Sequence, residues 1–253
     1  MQLKNYYYYF KSIISPKDCQ KIIDRGNLQF LENEKQGIST AAITYGNKEK
    51  QSMPGTVAAK DLSLNELSKL ELDKKTYVRD SYVVWLNDQW IYDLIFPLVQ
   101  EANHKAGWKW ELTGCESFQF TKYKIDGFYG WHEDGGSDWH AVYKRYINGV
   151  TNIPKKTNGE FPDGYTKNEN YIGKVRKISV TLNLNDPKDY QGGDLKFDFG
   201  LHTEEKNRFH ICEEIKPQGS LIVFPSFLKH CVTPINKGTR YSLVLWTLGE
   251  PWK

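Results

Sequence analysis

From residue 116 onward the chain is a succession of short β-rich runs, and this pattern limits the possible folds. In ESFQFTKYKI, Phe118 and Phe120 alternate with polar neighbours, which is the period of a strand with one buried face. The runs KISVTLNL, DLKFDF, SLIVFP and TRYSLVLWTL follow between glycine, proline and asparagine. Such runs are typical of a sandwich or jelly roll. We predict a mainly β domain at residues 116–250, with residues 1–115 as helical and mixed support.

The N-terminal support is predicted to contain helices that pack outside the β domain. Ser15 is a suitable N-cap, and Pro16 suits the first position of a helix that continues through Ile23. The sequence SLNE gives a capping-box pattern that predicts a short helix at residues 63–70. A strand is predicted between these helices, at residues 41–45.

A third helix is predicted at residues 89–105, where large apolar residues recur every four positions. This spacing is that of a helix that buries one face. Pro97 lies inside the pattern and is expected to kink or interrupt the helix, because proline lacks the N–H that a helix interior uses. The predicted stripe consists of Trp90, Leu94 and Leu98.

Composition places the chain among ordinary globular proteins. Its 253 residues are 39% hydrophobic and 26% charged, so one large domain with additions is the simplest expectation. The opening MQLKNYYYYF lacks the features of a secretory signal, and no later segment is apolar enough to span a bilayer. We therefore expect a soluble, cytoplasmic protein with no membrane partner. The four cysteines have no C-x-x-C spacing, which argues against a zinc knuckle and a disulfide framework.

Charge is mild overall but concentrated in one segment. The net charge of +3 disfavours duplex nucleic acid as a partner. Residues 144–177 nevertheless contain eight Lys or Arg against three acidic residues, a local charge of +5. They belong to a long stretch, residues 138–177, that is rich in Asn, Lys, Gly and Pro and interrupts the strands. We interpret it as an insertion in the β domain.

Two candidate metal ligands, His132 and Asp134, lie in the stretch GFYGWHEDGG. On an extended segment residues i and i+2 point to the same side, so both can reach one ion while Glu133 points away. The H-x-D spacing is common by chance, and a metal site therefore needs a third ligand. Among the other histidines, His230 has a pattern around it that supplies one.

His230 begins HCVTPINKGTRYSLVLW, which predicts a strand, a turn and a long returning strand. A hairpin of these two strands would place His230 roughly opposite Arg240, with Ser242 on the same face. An unpaired buried guanidinium is energetically expensive, so Arg240 needs a carboxylate partner. No acidic residue is near in sequence, and the partner is either a distant Asp or Glu or a ligand.

Two histidines and a carboxylate compose the facial triad of non-haem iron(II), which leaves three coordination positions open. Two of these positions suit the keto and carboxylate oxygens of 2-oxoglutarate, and the third suits oxygen. The far carboxylate of 2-oxoglutarate then needs a fixed cation, a role that Arg240 fits through bidentate geometry.

With these residues in place, the chain resembles the iron(II)/2-oxoglutarate dioxygenases of the prolyl 4-hydroxylase type. The resemblance covers about residues 116–250. It rests on the H-E-D motif that starts at His132, on RKISVTLNLNDPKDYQGGDLKF, and on H-x-V-x-P-x-x-x-G-x-R-Y-S, which starts at His230. It implies a double-stranded β-helix, a jelly roll with the N-terminal helices outside.

The resemblance also implies roles for individual residues and for cosubstrates. His132, Asp134 and His230 would bind Fe(II), and Arg240 would bind the 2-oxoglutarate carboxylate. The reaction would convert 2-oxoglutarate and O2 to succinate and CO2, with ascorbate as a possible accessory reductant. Further contacts to 2-oxoglutarate are implied for Tyr123, Ser242 and Asn183.

The substrate implied by the resemblance is a prolyl residue in a peptide or protein. Tyr129, Trp131 and Trp246 are expected to form the walls that hold it, although plain core packing explains Trp246 equally well. We hypothesise that the insertion at residues 138–177 folds over the substrate, and the alternative is a solvated excursion without contact.

Three other functions deserve comparison. A zinc hydrolase fits poorly, since H-E-D-G-G is not H-E-x-x-H and Arg240 would be unexplained. Oxidative demethylation of nucleic acid is compatible with the basic insertion, but basic and aromatic residues do not interleave there. A module that binds metal and recognises a peptide without turnover also stays open.

Overall fold

The structure is a computed structural model that describes residues 5–45, 56–58, 77–135, 142–147, 165–200 and 208–252. The helix predicted at residues 63–70 lies outside these ranges. The described helices are α1, Pro16–Lys35, and α2, Gln89–Lys105, and a 3-10 turn covers Glu213–Ile215. Neither α-helix has the length and apolarity that crossing a bilayer requires.

Strands make up most of the regular structure in the described ranges. The N-terminal support contributes β1 (Tyr8–Phe10), β2 (Ala41–Tyr45), β3 (Thr56–Ala58), β4 (Tyr77–Leu86) and β5 (Gly114–Cys115). The remaining strands are β6 (Phe118–Tyr123), β7 (Phe128–His132), β8 (Lys144–Arg145), β9 (Tyr165–Thr166), β10 (Val175–Asn183), β11 (Tyr190–Gly192), β12 (Leu195–Asp198), β13 (Phe209–Ile211), β14 (Leu221–Pro225), β15 (Lys229–Val232), β16 (Ile235–Gly238) and β17 (Arg240–Gly249).

Helix α1 begins where the sequence predicts it. The Ser15 side chain accepts a hydrogen bond from the Asp18 amide at 3.1 Å, and Pro16 occupies the first turn. The helix buries Cys19, Ile22, Ile23 and Gly26. A Cβ at Gly26 would lie 2.4 Å from the Phe120 ring, so this glycine allows α1 to pack closely on β6.

Helix α2 has the predicted extent but a different buried face. Ile91, Ile95 and Val99 are fully buried, whereas Trp90, Leu94 and Leu98 lie one position earlier and only pack against the rim of the core. The predicted stripe was therefore wrong by one residue. Pro97 was predicted to kink or interrupt the helix, and the helix continues through it without interruption. Pro97 is exposed, so the carbonyl group that loses its donor faces water.

The main sheet is mostly antiparallel and contains strands from both parts of the chain. Strand β4, which the sequence analysis missed, lies between β6 and β7. The N-terminal support thus completes the sheet rather than only covering it. The strand order along the sheet is β1-β14-β10-β17-β6-β4-β7-β15-β12-β13.

The sheet curls until its two ends pack against each other. Leu195 and Phe197 on β12 share one buried cluster with Ile222 and Phe224 on β14, although these strands lie near opposite ends of the strand order. The Tyr7 ring stacks on Phe197 with centroids 5.2 Å apart. The curl makes β7 and β15 face β17 across the interior, as the predicted jelly roll requires.

The hairpin predicted for His230 and Arg240 is wrong. Strand β15 pairs with β7 and β12, whereas β17 pairs with β10, β6 and β5. The intervening turn residues form β16, which pairs with β11 instead. His230 and Arg240 consequently reach the interior from opposite walls of the curled sheet rather than from neighbouring strands.

The insertion is partly described, at residues 142–147 and 165–177. These two segments form a short parallel ladder between β8 and β9. Tyr143 and Tyr171 pack together with ring centroids 5.7 Å apart. The amide of Tyr143 donates to the Lys174 carbonyl at 3.0 Å, which ties the ladder to the start of β10.

Candidate metal centre

His132, Asp134 and His230 come together inside the curled sheet. Each offers one ligand atom, and the three atoms lie within 4.8 Å of one another. His132 and His230 are directly paired across β7 and β15. Asp134 follows β7, and its amide donates to the Ser226 carbonyl at 2.9 Å. Two strands and one anchored turn thus hold the predicted ligands together.

A β-bulge in β7 directs the side chains at the end of this strand. His132 pairs with His230, but the next pair along the ladder joins Tyr129 to Val232, so three residues on β7 match two on β15. The extra residue allows both Tyr129 and His132 to line the same cavity. Without it, two residues three positions apart on a regular strand would point to opposite faces.

Backbone carbonyls fix the orientation and tautomer of both histidines. His132 Nδ1 lies 2.8 Å from the Gly130 carbonyl oxygen, and His230 Nδ1 lies 2.8 Å from that of Leu228. A carbonyl can only accept, so each Nδ1 must carry the proton in these bonds. In the neutral imidazole, each Nε2 then presents a lone pair, 3.5 Å from an Asp134 oxygen. Such facing lone pairs suit a cation between them.

The charge state of the three side chains also suits a cation. Burial and the neighbouring His132 together lower the pKa of His230 to about 4, so His230 is neutral near pH 7. Burial alone would raise the pKa of Asp134, but His230, His132 and Arg176 outweigh burial and hold it below its usual range. The site therefore offers one carboxylate and a neutral imidazole at neutral pH.

Arg240 lines the same cavity and is buried without a matching anion. It is 2% exposed, and among the described residues its Nε has no hydrogen-bond partner and no carboxylate forms an ion pair with it. Its guanidinium carbon lies 5.5 Å from the ring centroid of Tyr123, its partner across the β6–β17 ladder. A buried cation of this kind is stabilised when a ligand supplies an anion.

Two consecutive glycines allow the chain to pass close to Arg240. Gly192 and Gly193 have φ values of +80° and +67°, a region that favours glycine. A Cβ at Gly193 would lie 2.9 Å from Cδ of Arg240 and 2.5 Å from Cδ1 of Ile235. The G-G pair in the sequence is thus a packing requirement of the cavity wall.

The other predicted contacts to 2-oxoglutarate divide into two groups. Tyr123 and Ser242 line the cavity. Asn183 is not among the lining residues, and its Nδ2 donates to the carbonyl groups of Lys216 at 2.8 Å and Asn185 at 3.2 Å. These bonds give Asn183 a role in holding the loops at the end of β10.

The three predicted substrate residues also differ in position. Tyr129 lines the cavity and stacks on His132 with ring centroids 3.5 Å apart and an interplanar angle of 12°. Trp246 lines the cavity from β17. Trp131 is 39% exposed, and its ring packs against Phe209 rather than lining the cavity.

Sequence reasoning missed an ion pair beside the candidate ligands, in which Glu116 is buried and Arg176 is half-buried. Arg176 Nη2 donates to Glu116 Oε2 at 2.7 Å, and Arg176 Nη1 donates to the Asp134 carbonyl at 3.0 Å. The guanidinium carbon lies 3.9 Å from the Trp246 ring centroid. Burial opposes the charge, but Glu116 raises the pKa of Arg176 above its usual range. Sequence analysis treated Arg176 only as part of a basic segment.

A second missed cation is Arg79 on β4. It is 6% exposed, its Nε donates to Ser81 Oγ at 2.8 Å, and its guanidinium carbon lies 4.6 Å from the Tyr129 ring centroid. Arg79, Tyr129 and His132 thus form a column of stacked groups. The missed residues lining the cavity are Gln119, Val180, Thr181, Leu195, Phe224 and Val232.

This geometry agrees with a comparison against protein families. A family model described as the 2OG-Fe(II) oxygenase superfamily matches residues 118–248, more than half of the chain. The chain therefore belongs to this superfamily. The matched region begins with β6 and ends within β17, so it includes the three candidate ligands and Arg240.

Two curated relatives are similar in sequence to part of the chain. The PKHD-type hydroxylases YbiX of Shigella boydii serotype 18 and Escherichia coli strain K12 / DH10B are each 32% identical to the chain over 108 residues. These residues are 42% of this chain and 41% of the relative. The match thus spans about two fifths of these curated relatives.

Solved structures share the fold over nearly the whole chain. A viral collagen prolyl hydroxylase from Paramecium bursaria Chlorella virus-1 has a TM-score of 0.52, with 97% of each chain covered. A Pseudomonas putida prolyl-4-hydroxylase has a TM-score of 0.53, with 96% of this chain and 93% of that chain covered. Both are 15% identical to this chain, and they confirm the predicted double-stranded β-helix.

The residues fit the cofactors that the superfamily implies. Two imidazoles and a carboxylate are the ligand set of the iron(II) facial triad. The buried guanidinium of Arg240 in the same cavity fits the distal carboxylate of 2-oxoglutarate. Fe(II) and 2-oxoglutarate are the cofactor and cosubstrate that the superfamily implies, and the residues present fit both.

Proposed function

We propose that this protein is an iron(II)- and 2-oxoglutarate-dependent dioxygenase that hydroxylates a prolyl residue in a peptide or protein. The observation that carries the proposal is the buried Arg240, which shares one cavity with the three ligands and lacks an anion among the described residues. A zinc hydrolase has no use for such a cation. A 2-oxoglutarate enzyme needs it.

Each part of the site has a distinct task in this proposal. His132, Asp134 and His230 hold the metal on one face and leave the other face open. Arg240 orients 2-oxoglutarate through a bidentate ion pair, with Tyr123 and Ser242 beside it. When bound, iron(II) with 2-oxoglutarate supplies the oxidising power that replaces an unactivated C–H bond by C–OH.

The prolyl substrate is supported by the cavity walls and by the names of similar proteins. Tyr129 and Trp246 offer flat aromatic faces beside the ligands, and a saturated pyrrolidine ring packs well on such faces. A similar solved structure, at 15% identity and a TM-score of 0.52, is a Trichoplax adhaerens prolyl hydroxylase in complex with a hypoxia inducible factor peptide. An extended peptide is the corresponding substrate class for this chain.

The proposal is tested by succinate release with a panel of prolyl peptides. Wild type is expected to release succinate and to add one oxygen atom to the proline of a productive peptide. Arg240→Ala should lose this activity. Arg25→Ala removes a cation that pairs with Asp88 between α1 and α2 and does not line the cavity, so this variant should retain it.

The same assay separates the remaining functions. Binding of a peptide without succinate release would favour the recognition module, and succinate release with a methylated oligonucleotide but no peptide would favour the demethylase. A stimulation by ascorbate and a cytoplasmic location stay predictions from the sequence. So does the role of residues 138–177 as a substrate cover.

A further inference from the structure

A continuous set of contacts joins the insertion to a metal ligand. The Tyr143 hydroxyl donates to Glu116 Oε1 at 3.0 Å. Glu116 pairs through both carboxylate oxygens with Arg176. Arg176 in turn donates to the Asp134 carbonyl at 3.0 Å and covers the Trp246 ring. Tyr143 belongs to the insertion, and Asp134 is a ligand.

All three nitrogens of the Arg176 guanidinium donate hydrogen bonds, and they do so to two partners. Nε and Nη2 face Glu116, and Nη1 faces the backbone of Asp134. The Arg176 guanidinium keeps this orientation only while the Glu116 carboxylate is itself held in place. Glu116 lies between two strands and is 7% exposed, so an unmet carboxylate oxygen there would be costly. Arg176 already donates to both of these oxygens, and the Tyr143 hydroxyl adds a second hydrogen bond to Oε1 that helps to hold the carboxylate in this orientation.

The turn that carries Asp134 is also held by several contacts. The amides of Asp134 and Gly135 both donate to the Ser226 carbonyl at 2.9 Å. A Cβ at Gly135 would lie 2.9 Å from Cβ of Arg176, so the turn after β7 rests directly on Arg176. A rotation of the Arg176 side chain would break the hydrogen bond from Nη1 to the Asp134 carbonyl in this turn.

We propose that Tyr143 is a positioning residue through which the insertion holds the Glu116–Arg176 pair against Trp246 and the Asp134 turn. The inference deepens the proposed function, on which its catalytic part rests. The insertion thereby helps to set the substrate wall formed by Trp246. Tyr143 acts through Glu116 and does not touch the reacting atoms.

The test compares Tyr143→Phe with a matched control in the same insertion. Tyr171→Phe removes the hydroxyl of the ring that packs on Tyr143, and the structure records no hydrogen bond from that hydroxyl to a described residue. The first measurement is hydrogen exchange of the Asp134 and Gly135 amides. We expect faster exchange in Tyr143→Phe and unchanged exchange in Tyr171→Phe.

The second measurement is steady-state kinetics with a productive prolyl peptide. Tyr143→Phe is expected to lower kcat/KM by about tenfold, mainly through a higher KM for the peptide, because one hydrogen bond to a charged group is lost. The affinity for 2-oxoglutarate should be unchanged, since Arg240 lies outside this set of contacts. A merely structural role would instead lower kcat/KM, the affinity for the peptide and the affinity for 2-oxoglutarate together.

A double-mutant cycle identifies Glu116 as the intermediary. In a Glu116→Gln background, Tyr143→Phe should have less than half of the effect it has in wild type. Additive effects, or exchange at Asp134 and Gly135 that matches Tyr171→Phe, would overturn the inference. The hydrogen-exchange measurement needs no substrate. It therefore tests the coupling between Tyr143 and the Asp134 turn even if no prolyl peptide is hydroxylated and the proposed function is wrong.

Discussion

His132 and His230 are directly paired across β7 and β15, and their ring centroids lie 4.2 Å apart. This pairing makes the metal centre a property of the strand register, because a slip of one residue would turn either imidazole away from the interior. The bulge at Tyr129 and the carbonyl bonds to both Nδ1 atoms then set the direction of the rings.

The first prediction concerns metal affinity. His230→Ala removes one of three ligands and is expected to weaken Fe(II) binding by more than about 100-fold, since even residues that only support a ligand contribute about 10- to 100-fold. His104→Ala, at an exposed position near the end of α2, is the matched control. Anaerobic equilibrium binding of Fe(II) measures both variants, and equal affinity in the two would contradict the assignment.

The second prediction concerns stability with and without 2-oxoglutarate. Arg240→Met removes a buried cation that lacks an anion among the described residues, so the ligand-free variant should be at least as stable as wild type. With Fe(II) present in both proteins, adding 2-oxoglutarate should raise the unfolding temperature of wild type much more than that of Arg240→Met at the same concentration. Thermal unfolding checks this, and an equal rise in Arg240→Met would show that the anion binds elsewhere.

The third prediction concerns the glycine beside Arg240. Gly193→Ala should lower both stability and 2-oxoglutarate affinity, because its Cβ would lie 2.9 Å from Cδ of Arg240. Gly173→Ala has a similar φ of +79° but no atom within 4 Å, so it isolates the backbone cost of about 1 kcal/mol. Urea unfolding and 2-oxoglutarate titration compare the two, and equal effects would exclude a steric role for Gly193.

The fourth prediction concerns pH. Arg208 donates two hydrogen bonds to Asp198 and holds the pKa of Asp198 below its usual range. Stability from this carboxylate is therefore complete above the unfolded pKa of about 3.9 and is lost as the pH falls through the lower folded pKa. Urea unfolding should show a gap between wild type and Asp198→Asn at about pH 6 that narrows below about pH 4. A difference in stability that grows as the pH falls would contradict this prediction.

Part of the site was readable in the sequence because it depends on local spacing. His132 and Asp134 are two residues apart on an extended segment, so their convergence needs no knowledge of the rest of the chain. The role of Arg240 as a cation that binds an anion could be inferred because the residue was expected to be buried with no acidic residue near it in sequence. His230 was found through its motif, although the hairpin expected to place it beside Arg240 does not form.

The rest depends on contacts between distant segments. Arg176 and Glu116 are 60 residues apart, and only the fold shows that they pair. Strand β4 was missed because Arg79, Asp80 and Ser81 interrupt its apolar pattern, and two of these, Arg79 and Ser81, are buried in the folded chain. The buried face of α2 was displaced by one residue since large partly buried side chains flank the true stripe.

The most direct test of the central claim is an anaerobic absorption titration of metal-free protein with Fe(II) and then 2-oxoglutarate. The account predicts a visible charge-transfer band that requires both additions, is absent in His132→Ala, and needs a much higher 2-oxoglutarate concentration in Arg240→Ala. A folded wild-type protein that shows no band, or a band that persists in His132→Ala, would contradict the account.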